Sequence, residues 1–310
     1  MTPAKSGDLA GATLRIATRG SPLALWQAER VSTLLRDAVP GLDVELVIVV
    51  TSGDRRADVP IWEMGGTGVF VKEVSEAVLT GTADLAVHAA KDLPSLSPHG
   101  LDLAAFPERA DPRDALVGCT LDALPTGACV ATGSVRRRAQ LANLRPDLTF
   151  VSLRGNIATR LARVSEVDAV VVAYAALQRL GLEDRVAEVL SPEVMVPQVA
   201  QGALAVECRS GDERVGGAAA LVDQVSTRLA VEAERAFLGA IGSGCELPCG
   251  ALARPTSSGA VVVEGMLASL DGRVVLRASA EGGDPAAAGV EVSRKLLEDL
   301  GGAELLEGVR

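Results

Sequence analysis

Short apolar and β-branched runs alternate along the first two-thirds of the chain with stretches whose apolar positions recur at helical spacing. Residues 14–18 read as a strand. Ser21-Pro22 then supplies a helix N-cap with proline at the first helical position. The helix this predicts runs through Trp26 and Val31 to about Ala38, where Pro40-Gly41 stops it. Strand signals recur at residues 44–51, 85–88, 130–131, 149–153 and 169–172, with helical patterns at 69–79, 134–143, 157–164 and 173–180. Such alternation predicts α/β layers on largely parallel sheets. The last part differs. Residues 226–241 form a long helical pattern, 260–268 and 273–280 a hairpin around Asp271-Gly272, and 285–300 another helix, together an α+β module. No internal repeat is evident; Gly216-Gly217-Ala218-Ala219-Ala220 is the nearest approach to low complexity.

Composition narrows the function classes. A chain of 310 residues with 48% hydrophobic and 23% charged residues is expected to be soluble and globular, with two or three domains. Aromatics at 2% argue against stacking platforms for single-stranded nucleic acid. No apolar run approaches the length of a bilayer span, and the first eight residues carry no secretory apolar core. Five cysteines without a Cys-x-x-Cys pair, beside only two histidines, make a zinc site improbable and fit a reducing cytoplasm.

Charge is where the pattern becomes specific. The formal net charge is −10, yet residues 132–163 hold seven arginines and one acid, Asp147. Several arginines sit in small-residue turns: Thr18-Arg19-Gly20-Ser21, Thr132-Gly133-Ser134-Val135-Arg136-Arg137 and Arg154-Gly155-Asn156. Each turn follows a strand and precedes a helix, where helix N-termini add partial positive charge beyond the strand ends. A basic site in an acidic protein points to a small polyanion rather than to a nucleic-acid backbone. Arginine is common throughout, so the clustering carries the information and the total does not.

Two further stretches carry chemistry: His88-Ala89-Ala90-Lys91-Asp92-Leu93-Pro94, and Gly242-Ser243-Gly244-Cys245-Glu246-Leu247-Pro248-Cys249-Gly250. Together with the arginine turns, Gly65-Gly66-Thr67-Gly68-Val69-Phe70-Val71-Lys72-Glu73, Glu108-Arg109-Ala110-Asp111-Pro112-Arg113-Asp114 and Gln201-Gly202-Ala203, they occur in the order found in hydroxymethylbilane synthase, also called porphobilinogen deaminase. From about Leu14 to the C-terminal helix the chain closely resembles that family.

The resemblance implies three domains: residues 1–105 with 199–218, carrying Asp92; residues 106–198, carrying most of the arginines; and residues 219–310, carrying Cys245. It implies a transferase of tetrapyrrole biosynthesis that condenses four porphobilinogen molecules head to tail on a dipyrromethane cofactor, releasing ammonia and finally hydroxymethylbilane. Cys245 matches the cysteine that holds the cofactor through a thioether. Arg19, Ser21, Lys91, Asp92, Ser134, Arg136, Arg137, Arg154, Gly155, Arg160 and Gln201 match cofactor- or substrate-binding positions. Asp92 matches the catalytic aspartate that contacts pyrrole N–H groups and stabilises the cation formed when ammonia leaves. Arg179 matches an arginine linked to chain elongation. A cytoplasmic monomer is expected, with its product passed to uroporphyrinogen-III synthase and no nucleic-acid, membrane or metal partner.

Blander readings stand beside these. Asp92 alone reads equally as a turn cap or a partner of Lys91, and Arg179 as a helix C-cap. Arg19, Arg136, Arg137, Arg154 and Arg160 read otherwise as solvated or helix-face charges, as do Arg138, Arg145 and Arg163. His88 reads as a structural hydrogen-bonder. Cys119, Cys129 and Cys208 read as small buried hydrophobes, and Cys249 competes with Cys245 for attachment. Residues 53–66 look like a mobile lid. Thr67 and Glu63 stand where relatives carry lysine, Gly133 where serine or threonine is common, and Ser243 where glycine is common. The two α/β domains also resemble the lobes of bilobed binding proteins, so the alternative is an anion- or dicarboxylate-binding module without catalysis.

Overall fold

The computed structural model describes residues 11–55, 70–242 and 247–307. The chain forms two compact units, Met1–Arg109 with Ala203–Arg228, and Ala110–Gly202 with Leu229–Arg310.

The first unit is built on a five-stranded sheet in the order β2-β1-β3-β10-β4. Its strands are β1 (Thr13–Arg19), β2 (Asp43–Val49), β3 (Leu85–Ala89), β4 (Leu101–Ala105) and, from the returning chain, β10 (Leu204–Arg209). β1 pairs in parallel with β2 and β3, whereas β10 runs antiparallel to β3 and β4. The helices are α1 (Pro22–Ala38), the short α2 (Ser52–Arg55), α3 (Lys72–Leu79) and α7 (Glu213–Ala220). α1 begins as its sequence predicts: Ser21 Oγ accepts the Ala24 N–H, and proline opens the first turn. Ala28, Val31 and Leu35 from α1 pack on Leu14, Ile16 and Leu85.

The second unit repeats the mixed arrangement, in the order β7-β6-β8-β5-β9. Here β5 is Asp114–Val117, β6 Cys129–Ala131, β7 Thr149–Val151, β8 Ala169–Ala173 and β9 Val186–Val189. β6 is parallel to β7 and β8; β5 is antiparallel to β8 and β9. Helices α4 (Val135–Leu144), α5 (Ile157–Ala162) and α6 (Tyr174–Arg179) follow β6, β7 and β8. The same unit holds an antiparallel meander of β11 (Cys249–Pro255), β12 (Val261–Ala268) and β13 (Val275–Gly282). Most of α8 (Val225–Ile241), α9 (Pro285–Arg294) and α10 (Ala303–Glu307) belong here too. Met266 and Ala268 of β12 pack against Ala139 of α4, and Asn143 Nδ2 donates to the Gly272 carbonyl. The expected mixture of two α/β sheets and a smaller antiparallel module is present.

Both α/β sheets are mixed: β10 and β5, each second from one edge, run antiparallel to both neighbours. Two sequence features take a different form in the fold. The glycine-alanine tract is part of α7. Asp212 caps that helix through the Val215 N–H, and Val215, Ala218 and Ala219 enter the core. Finally, α9 ends at Arg294 and continues to Asp299 as a wider π-turn instead of one α-helix. The proposed lid lies mostly outside the described residues, with Glu63 and Thr67.

Candidate functional site

In the first unit, parallel pairing of β1 with β3 brings their carboxyl ends to one edge of the sheet. Arg19 ends β1, and β3 leads into a single 3₁₀ turn, Ala90–Asp92. That turn is tied to the neighbouring strand by Ala90 N–H donating to the Ala203 carbonyl. Asp92 and Lys91 are half-buried. Among the described residues the Asp92 carboxylate accepts no hydrogen bond and meets no cation, so it neither caps a turn nor pairs with Lys91. The Arg19 guanidinium lies over the Phe70 ring, 4.1 Å from its centroid, a cation–π contact. Ser21 is engaged as the α1 cap. His88 is buried, with Nε2 3.2 Å from Glu207 Oε2, and Ser75 Oγ donates to the same oxygen at 2.6 Å. It is a structural hydrogen-bonder, as its place in a core strand implies.

In the second unit, β6 is parallel to β7 and β8, and their carboxyl ends carry the turns that hold the arginines. Ser134 Oγ accepts the Arg137 N–H and caps α4. A Cβ at Gly133 would lie 2.6 Å from the Leu153 carbonyl oxygen; serine or threonine here would force the backbone to move, which accounts for this departure from the usual pattern. Gly155 has φ +95°, a region open to glycine, and an added Cβ would press on Thr159 at 2.8 Å. Its carbonyl accepts Arg160 Nε at 2.8 Å. Asn156 Oδ1 accepts the Thr159 N–H and caps α5. Arg154 is half-buried beside this cap.

Arg136 and Arg137 are 3% and 6% exposed, so neither is a solvated surface group. Both grip Asp114, which is fully buried at the start of β5. Arg136 also donates to the Val196 carbonyl and Arg137 to that of Val171. Gln201 is buried as well; its Nε2 donates to Asp114 Oδ1 and to the Pro112 carbonyl, each at 2.8 Å. Burial alone would push the Asp114 carboxyl up, but Arg136, Arg137 and Gln201 hold it well below the usual carboxylate range. Burial pushes the Arg136 guanidinium down, and Asp114 opposes that shift. Arg179 closes α6 but does not turn back on it: Nη2 donates to the Gly202 carbonyl at 2.6 Å, and burial lowers its pKa to about 10. Arg145 pairs with Asp147, Arg163 with Glu166, and Arg138 lies over Phe150, which gives each a local structural role.

A pH dependence follows from Asp114. Its folded-state pKa lies below the unfolded value of about 3.9, so its stabilisation is complete above that value and is lost as pH falls toward the folded one. The urea midpoint of wild type should therefore exceed that of Asp114→Asn at pH 6, and the gap should shrink at pH 3. A constant gap would contradict the linkage.

Cys245 lies outside the described residues, as does Ser243. Of the other cysteines, Cys249 is buried at the head of β11, and burial raises the Cys208 thiol to about 11, far from a reactive thiolate. Cys119 and Cys129 are half-buried, and Cys119 packs against the second sheet's core. Among the described residues no group of three His, Cys, Asp or Glu side chains could hold a metal ion, and no helix is long and apolar enough to cross a membrane.

Asp114 lies inside the Glu108–Asp114 segment, and nothing in its sequence neighbourhood assigns it a role. The available signal was an acid opening the apolar run Ala115-Leu116-Val117, downstream of Pro112. An acid there needs a buried cation, and only the fold shows which one.

Comparison with known proteins finds similarity along most of the chain. The family model for the porphobilinogen deaminase dipyromethane cofactor binding domain matches residues 14–216, and that for the porphobilinogen deaminase C-terminal domain matches residues 228–298. The porphobilinogen deaminase of Roseiflexus sp. (strain RS-1) is 48% identical over 304 residues, covering 96% of this chain and 99% of that protein. That of Acidithiobacillus ferrooxidans is 45% identical over 303 residues, covering 96% and 98%. Among solved structures, the methionine binding protein MetQ overlays with a TM-score of 0.43 and 15% identity, over 68% of this chain and 88% of that one.

Proposed function

The chain belongs to the porphobilinogen deaminase family, and from that membership we propose that it condenses four porphobilinogen molecules head to tail, releasing ammonia at each step and then hydroxymethylbilane by hydrolysis. The observation that carries the reading beyond membership is Asp92. It is a half-buried carboxylate without a partner among the described residues, placed one turn beyond a core strand. A site that only gripped carboxylates would gain nothing from an aspartate. A site where a pyrrole becomes positively charged would.

The residues suit a dipyrromethane cofactor. Each of its rings carries an acetate and a propionate, which require N–H donors. Arg136 Nε is buried with no hydrogen-bond partner among the described residues, and such a donor is costly unless an acceptor reaches it. Arg19, Ser21, Lys91, Asp92, Ser134, Arg136, Arg137, Arg154, Gly155, Arg160 and Gln201 would hold the cofactor. Cys245 would hold it through a thioether. When bound, the cofactor supplies the nucleophilic pyrrole carbon on which the product chain grows.

This chain's own part is electrostatic. As the carbon–nitrogen bond of porphobilinogen breaks and ammonia departs, positive charge spreads onto the pyrrole. Asp92 accepts the pyrrole N–H and opposes that charge, and it can receive the proton released when the new carbon–carbon bond is complete. The arginines bind substrate carboxylates equally before and during reaction, which sets affinity more than rate. Arg179 matches the family arginine linked to elongation, and we assign it that role. We place the protein in the cytoplasm as a monomer that passes its product to uroporphyrinogen-III synthase. Four described cysteines are free thiols, in support of a reducing compartment. Incubation with porphobilinogen tests the reading: ammonia and a linear tetrapyrrole should appear in a ratio of about four to one, by the stoichiometry of four condensations. Binding without ammonia release would instead support the non-catalytic module.

A further inference from the structure

Asp114 receives more hydrogen bonds than an ion pair needs. Arg136 Nη2 donates to Oδ2 at 2.8 Å. Arg137 donates to Oδ1 from Nε at 3.0 Å and from Nη2 at 2.7 Å. Gln201 Nε2 donates to Oδ1 at 2.8 Å. An ionised carboxylate has roughly four acceptor sites, so this one is saturated by three side chains. Backbone carbonyls of Val196 and Val171 take a further N–H from each arginine and fix both guanidinium planes.

The charge count does not balance. Two guanidinium groups share one carboxylate in a place where all three side chains are almost fully excluded from water. A buried pair gives little net stability even when balanced, and a second cation adds desolvation cost with no anion to offset it. Stability therefore gives no reason for the second arginine. The surplus cation, with Arg136 Nε left buried and unpartnered among the described residues, has a use if a further anion joins the cluster.

We propose that Asp114 is a positioning residue: it aims the forks of Arg136 and Arg137 so that their remaining N–H groups meet carboxylates of the dipyrromethane cofactor. This rests on the function proposed above. Asp114 itself touches no ligand. It acts by holding two arginines that would otherwise repel each other, and it opposes the loss of charge that burial imposes on Arg136.

The test is the rate at which protein produced without access to porphobilinogen gains the mass of two pyrroles when porphobilinogen is added. Asp114→Asn should load about 10- to 100-fold more slowly than wild type, the range expected for one or two hydrogen bonds between charged groups. Val215→Ala, a truncation in the first sheet's fully buried core on α7, loses stability for reasons unrelated to the arginines and should load at the wild-type rate. If Asp114→Asn does not accumulate as folded protein, Asp114→Glu keeps the charge and displaces both forks by one methylene; it should load about tenfold more slowly. Wild-type loading in both Asp114 variants would overturn the proposal. So would equal slowing in Val215→Ala, which would make Asp114 a stability residue only. If wild type itself never gains the mass, the cofactor reading fails, an outcome separate from any difference between variants.

Discussion

Alanine at position 92 is expected to leave the circular dichroism spectrum and unfolding midpoint close to wild type while lowering porphobilinogen turnover by about 10²–10³-fold. The two halves of this expectation have different physical grounds. Asp92 is half-buried and its carboxylate has no partner among the described residues, so its removal strands no donor and opens no core cavity. Away from such features a substitution shifts stability by about 0.5 kcal/mol or less. The cost in rate arises because the carboxylate opposes charge that is present only as ammonia leaves, and so acts on the transition state more than on the bound substrate. Asp92→Asn should fall almost as far, since the amide keeps the shape and loses the charge. Turnover within about fivefold of wild type in either variant, well inside the loss expected for a charge-stabilising group, would remove Asp92 from the mechanism.

Serine at position 245 should abolish turnover outright, because it removes the thiolate that forms the thioether and leaves a far weaker nucleophile. Cys249→Ser provides the contrast. Cys249 is buried at the start of β11, paired in register with Leu267, and cannot reach a large substituent without leaving the sheet. Its replacement is a near-isosteric change beside the buried Arg136 and should lower stability by about 1 kcal/mol, while turnover per folded molecule stays near wild type. Activity surviving in Cys245→Ser and absent from Cys249→Ser would reverse the assignment.

Local signals made some of this structure legible in advance. Helix α1 has a capping serine, a proline and a Pro-Gly stop within its own span, and its bounds follow from them. α4 and the meander strands β12 and β13 are likewise marked by nearby residues and fall within about two positions of their sequence reading. What escaped was long-range. β10 holds the buried Glu207, and β5 opens on the buried Asp114; each acid interrupts an apolar run that would otherwise read as a core strand. Their partners, His88 and the Arg136–Arg137 pair, lie 119 and about 22 residues away, and no short window contains both ends. Gln201 is similar. It holds Asp114 from a turn whose preceding residue, Ala200, adopts φ +58°, a conformation its sequence does not announce. The arginine positions were thus visible in sequence, whereas the carboxylate that aims two of them was not.

On the reading proposed above, porphobilinogen units are joined on a primer covalently attached to this chain. Intact-mass spectrometry of freshly purified protein, before and after addition of porphobilinogen at less than one equivalent per site, tests it most directly. The protein should first weigh the bare chain plus two linked pyrroles, then show discrete added increments, each equal to porphobilinogen less ammonia, all absent from Cys245→Ser. A wild-type mass equal to the bare chain throughout, in a preparation that nevertheless consumes porphobilinogen, would contradict it.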